Sequence, residues 1–139
     1  MKSITNQFIN HLKAKNFEIF TLQTLDEVDV LKHTETSNGM SIQSLICFDD
    51  SPCTEITYLL ANCTNKLKQE QIILYLNELN RQRKMKYNLS ETGNIIASFI
   101  YWADDNAFNP ETLLEMYIGF FRSLLEEGEL PKLMRMIWG

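Results

Sequence analysis

Apolar positions along this chain switch between a helical period and a strand period, and the switches divide it into elements. Ile4, Phe8, Ile9 and Leu12 recur at helical spacing, which predicts a helix over residues 4–15 with Ser3 at its cap. Phe17, Ile19, Phe20 and Leu22, then Val28, Val30 and Leu31, read as an extended segment followed by a strand. Asn38-Gly39 is a turn signal. Beyond it, Met40, Ile42, Ile46 and Phe48 share one strand face, interrupted only by Ser44. Asp49-Asp50-Ser51-Pro52 reverses the chain, and Ile56, Tyr58 and Leu60 line one face of the next strand. These two strands read as an antiparallel hairpin.

The helical period returns over residues 68–84, where Ile72, Ile73, Leu76 and Leu79 form a stripe and Asn65 or Thr64 caps the approach. Met85, Tyr87 and Leu89 then alternate with Lys86, Asn88 and Ser90. Glu91-Thr92-Gly93-Asn94 is turn chemistry, and residues 95–102 form the second strand of another hairpin. Asn109-Pro110-Glu111 combines an N-cap, a first-turn proline and an acid at the positive end of the helix dipole. Eight apolar residues from Leu113 to Leu125 then span an arc of roughly 160° at 100° per residue, so this helix packs deeply. Gly128 ends it, and Leu130-Pro131 opens a short terminal helix with Leu133, Met134, Ile137 and Trp138. The order is helix, three strands, helix, two strands, helix, short helix. That predicts an α+β fold, an antiparallel sheet with helices packed on one face, in a single domain over residues 1–139.

One strand departs from the expected pattern. Ile95, Ala97, Phe99 and Tyr101 lie on one face of residues 94–102, and Ile96, Ile100 and Trp102 lie on the other, broken only by Ser98. The open side of such a sheet is normally polar. Something must therefore cover the second face: the short N-terminal helix, the terminal segment 130–138 folded back over Ile100 and Trp102, or a second copy of the chain. Ile96, Ile100 and Trp102 are accordingly expected to be interaction residues of a homodimer.

Composition narrows the function classes. With 139 residues, 45% hydrophobic and 22% charged, the chain is an ordinary globular domain that buries about two thirds of its surface. A net charge of −5 argues against nucleic acid as the main partner. Glu126, Glu127 and Glu129 read as a solvated helix end. No apolar run is long enough to span a membrane, and the first residues lack the pattern of a signal peptide. Cys47, Cys53 and Cys63 are odd in number and without metal-ligand spacing; Cys47 and Cys63 read as buried free thiols, Cys53 as a turn residue. A reducing cytoplasm is the expected location.

No catalytic motif is present, and neither a cofactor nor an enzymatic activity is expected. His11 and His33 stand apart in different elements. Asp49-Asp50 and Asp104-Asp105-Asn106 read as turns, since the latter lacks the glycine and glutamate of an EF-hand loop. Arg81, Arg83 and Lys84 complement a helix C-terminus, and Lys86 falls on the polar side of a strand. Asn77 and Asn80 are the candidate interaction or structural residues of the central helix. Asn80 falls about 40° from the centre of the stripe, where its amide needs a partner in the following loop or strand. Losing that partner is worth roughly 1–3 kcal/mol.

The stretch LNELNRQRKMKYNLSETGNIIASFIYW, followed by a turn and a long apolar helix, resembles the YbjN-type domain, in which an N-x-x-N pair near the end of the central helix precedes a hairpin. Asn77 and Asn80 match that pair. The element order is also similar to the wider type III secretion chaperone superfamily. These resemblances imply a small, acidic, dimeric, cytoplasmic protein that binds an unidentified protein client, as a regulator or a chaperone. The alternative expectation is a small-ligand sensor with a pocket between sheet and helix.

Overall fold

The computed structural model describes residues 1–37, 39–126 and 129–139. Its elements run α1 (Ser3–Ala14), β1 (Thr21–Leu25), β2 (Val28–Ser37), β3 (Met40–Phe48), β4 (Cys53–Asn62), α2 (Lys66–Gln82), β5 (Lys86–Leu89), β6 (Asn94–Trp102), α3 (Pro110–Glu126) and α4 (Glu129–Trp138). Six strands form one antiparallel sheet in the order β1-β2-β3-β4-β6-β5. The fold is α+β, with one strand more than the apolar pattern predicted. The extra strand is β1, which pairs with β2 through a tight turn at Asp26, whose φ is +55°. All five of its residues are exposed, so it has no alternation of burial to betray it. The Asn38 turn and the Gly128 stop lie outside the described residues.

The four helices share one face of the sheet. Phe8 of α1 packs on Phe48 of β3, with ring centroids 5.9 Å apart. Tyr117 of α3 stacks on Tyr58 of β4 at 5.7 Å, and Phe120 meets Phe99 of β6 at 4.5 Å. α2 covers β5, and α4 lies against α2 and α3. α4 therefore does not fold back over Ile100 and Trp102. It buries Leu130, Leu133 and Ile137 among the other helices and leaves Trp138 exposed.

Caps follow the local chemistry. The Asn65 side chain accepts from the N–H groups of Leu67 and Lys68, and Asn109 accepts from those of Glu111 and Thr112. α1 differs from expectation. Its N-cap is Lys2, which has no side-chain cap, and Ser3 already lies inside the helix. The buried Asp29 of β2 supplies the cap from across the fold. It accepts from the Lys2 N–H at 2.8 Å, the Thr5 hydroxyl at 2.7 Å and the Thr24 hydroxyl at 2.9 Å. Burial alone pushes the Asp29 carboxyl up. These hydrogen bonds outweigh it, so the group sits below its ordinary range.

Two other readings need correction. Glu129 does not belong to a solvated helix end: it is buried and ion-paired with Arg83, the residue that caps the C-terminus of α2. Ile73 lies off the apolar stripe of α2 and is exposed; Ile72, Leu76 and Leu79 alone are buried there.

Candidate functional site

The first candidate is the face of the sheet that carries no helix. Cross-strand register assigns its residues. One row runs Val30, Cys47, Glu55, Ile100, and the next runs Lys32, Leu45, Thr57, Ser98, Lys86. A third runs Thr34, Gln43, Leu59, Ile96, Asn88, and Cys53 pairs with Trp102 beside the first. Ile100 and Trp102 are 57% and 72% exposed, and Ile96 is half-buried between its neighbours. Among the described residues no element covers this face. Apolar residues at Ile96, Ile100, Trp102, Leu45, Leu59, Val30 and Cys47 are thus interspersed with polar ones, with Lys32 on β2, Lys86 on β5 and Glu55 on β4 between them.

Cys47 belongs to this face. It is half-buried rather than buried, because alternation along β3 sends Ile46 and Phe48 inward and the thiol outward. Partial burial, with Glu55 and Asp49 nearby, pushes its pKa up, so the thiol is a weak nucleophile. Cys53 is also half-buried, and Cys63 is buried.

The second candidate lies on the helix-covered side. A cavity of about 380 Å³ opens between β2, residues 17–19 and α3, lined by apolar side chains together with His33, Glu35, Tyr117 and Arg122. The inward positions of β2 create it. Asp29, Leu31, His33 and Glu35 pair in register with Phe48, Ile46, Ser44 and Ile42 of β3, so three of the four inward residues of β2 are polar. The His33 ring is held by an edge contact to Phe20 and by Nδ1, 3.1 Å from the Ile19 carbonyl oxygen. Tyr117 donates its hydroxyl to Ser44 Oγ at 2.9 Å, and Tyr58 donates to the Tyr117 carbonyl at 2.7 Å. Burial, chiefly, pushes Tyr117 up to about 12, and pushes Tyr58 up as well. Both phenols are fixed donors within the core. Ser44, which interrupts the apolar face of β3, is thereby explained as the acceptor for Tyr117.

The asparagine pair divides. Asn80 is an exposed residue, yet its amide donates to the Tyr87 carbonyl at 2.9 Å and accepts from the Tyr87 N–H. It ties the end of α2 to β5. Asn77 is exposed, and it shares neither candidate site with Asn80 or with the Ile96, Ile100 and Trp102 set. Sequence reasoning did not assign His33, Glu35 and Arg122 to a pocket. The available signal was the run of polar residues, Asp29, His33 and Glu35, at the inward positions of β2.

Asp49 and Asp104 both act as turn acceptors, from Ser51 and from Asn106 and Ala107 respectively. No group of three or more metal-ligating side chains occurs among the described residues, and no helix there is long and apolar enough to cross a membrane. Comparison with protein-family models and with curated proteins gives no match to this chain.

Proposed function

We propose that this protein is a non-enzymatic, cytoplasmic protein-binding domain, regulatory or chaperone-like, that works as a homodimer joined through the open face of its sheet. The exposure of Ile100 and Trp102 on the face of the sheet opposite the aromatic core carries this reading. An exposed patch of this kind marks an interaction surface or an aggregation hazard. Its size suits a second copy. Strands β2, β3, β4 and β6 are nine or ten residues long. At about 4.8 Å between strands and 3.4 Å per residue they offer roughly 600 Å², and the edge strands bring this close to the roughly 800 Å² per partner of a standard interface. Twofold pairing would also let Lys32 and Lys86 of one copy approach Glu55 of the other. The YbjN-like and secretion-chaperone-like pattern supports the same assignment, with a protein client bound by the dimer.

Light scattering after size exclusion tests it. The expected mass is twice the 16.3 kDa of one chain; a monomer mass at micromolar concentration overturns the dimer. The cavity between β2 and α3 favours a second reading, a small-ligand sensor, and a thermal-shift screen with metabolites tests that.

A further inference from the structure

We infer that the cavity between β2 and α3 binds a small zwitterion with an apolar body, the chemistry of an apolar or aromatic α-amino acid. This inference rests on the ligand-sensor reading of that cavity. Its volume, about 380 Å³, is at the lower end of the roughly 300–1,000 Å³ typical of small-molecule sites, which suits one amino acid rather than a peptide.

The polar groups at its wall divide by sign. A carbonyl oxygen only accepts, so His33 Nδ1, facing the Ile19 carbonyl, carries the ring hydrogen. In the neutral ring this leaves Nε2 as an acceptor, and Nε2 lies 3.9 Å from Glu35 Oε2. With the ring hydrogen on Nδ1, Nε2 and the half-exposed Glu35 carboxylate form a pair of neighbouring acceptors that one ligand ammonium, with three donors, can bridge. Arg122 lines the same cavity from α3 and makes no ion pair with a described residue. Its planar fork matches a carboxylate. Between these groups the wall is apolar, formed by Phe17, Ile19, Phe121 and Leu125. The Tyr117 hydroxyl hydrogen is already committed to Ser44, so it adds no donor for a ligand. A fatty acid pairs with Arg122 but brings no donor for Glu35 and His33, and a simple amine leaves Arg122 without a carboxylate. A zwitterion with an apolar side chain satisfies every group at once.

Calorimetric titration of the full chain with L-phenylalanine and L-leucine tests this, with 3-phenylpropionate and phenethylamine as the two half-ligands. The expected result is saturable binding of at least one amino acid, with each half-ligand weaker by about tenfold or more, the worth of one charge-assisted contact. Glu35→Gln should weaken the amino acid by about tenfold and leave 3-phenylpropionate no weaker; Arg122→Gln should do the converse with phenethylamine. Both side chains are exposed, so these variants keep the fold. Half-ligands that bind as tightly as the amino acid, or a Glu35→Gln variant with unchanged affinity, overturn the zwitterion and leave the cavity reading standing. No saturable binding by any of the four compounds overturns both.

Discussion

Strand β6 carries apolar side chains on both of its faces, and the two faces have opposite fates. On β6, Phe99 turns inward against Phe120 and is 8% exposed, while the adjacent Ile100 turns outward and is 57% exposed. On β3, Ile46 and Phe48 are fully buried, while Leu45 and Cys47 between and beside them are only half-buried. Within β6 hydrophobicity alone does not decide which face receives the helices. The helices attach where aromatic side chains and a few buried polar anchors interlock: Phe8 with Phe48, Tyr117 with Tyr58 and Ser44, Asp29 with the start of α1. The open face exposes Ile100 and Trp102 among polar residues and has no such anchors.

The sharpest break of this comparison is a pair of substitutions at adjacent positions. Phe99→Ala should cost the folded monomer about 3–5 kcal/mol, as loss of a core aromatic does. Ile100→Ala should cost the same monomer under about 1 kcal/mol, because much of its side chain already meets water. Urea denaturation at a concentration low enough to dissociate any dimer measures both. Equal losses would mean that the two faces are equally buried.

The Asp29 anchor comes next. Asp29→Ala strands the Lys2 N–H and the Thr5 and Thr24 hydroxyls, and a loss of about 1–3 kcal/mol is expected. Its pH dependence follows from the lowered pKa. Stability from the charged carboxylate is fully present above the unfolded value of 3.8 and is lost as pH falls through the lower folded value. Asp29→Asn should therefore flatten the acid side of the stability curve. Urea midpoints that fall equally steeply in acid for both proteins would remove Asp29 from this role.

Gly93 sharpens the comparison at the end of β6. Its φ is +87°, its carbonyl accepts from the Cys63 N–H, and an added Cβ would overlap the Cys63 carbonyl oxygen. Gly93→Ala should cost about 1–3 kcal/mol in thermal melts, and an unchanged melting temperature would mean the turn relaxes freely. Among the substitutions of hydrogen-bonding and turn residues, Asn80→Ala should have the smallest effect, about 1 kcal/mol, since water reaches the exposed end of α2 and can partly replace the amide. An unchanged denaturation midpoint would show that its bonds to Tyr87 contribute nothing.

These residues also show what was legible in the sequence. Caps and turns depend on nearest neighbours, so Asn65, Asn109, Asp49 and Asp104 announced their roles. The hairpin strands announced themselves through alternating burial. β1 did not, because a fully exposed edge strand has no alternation to read. The partners of Glu129 and Asp29 were hidden too, since each meets residues far away in the chain. The two apolar faces of β6 could be seen in the sequence, but which one the helices would cover could not. That choice depends on cross-strand register and on the route of α4. The polar row inside β2 was visible as His33 and Glu35, but only the position of α3 turns it into the wall of a cavity.

The most direct test of the account is sedimentation of the wild-type chain and the Ile100→Lys variant over a dilution series, with near-ultraviolet circular dichroism to confirm folding. The account predicts a wild-type mass of twice 16.3 kDa that falls to one chain on dilution, and a variant that is folded and monomeric throughout. A wild-type chain that sediments as a 16.3 kDa monomer at every concentration, or a folded variant that still sediments as the dimer, would contradict it.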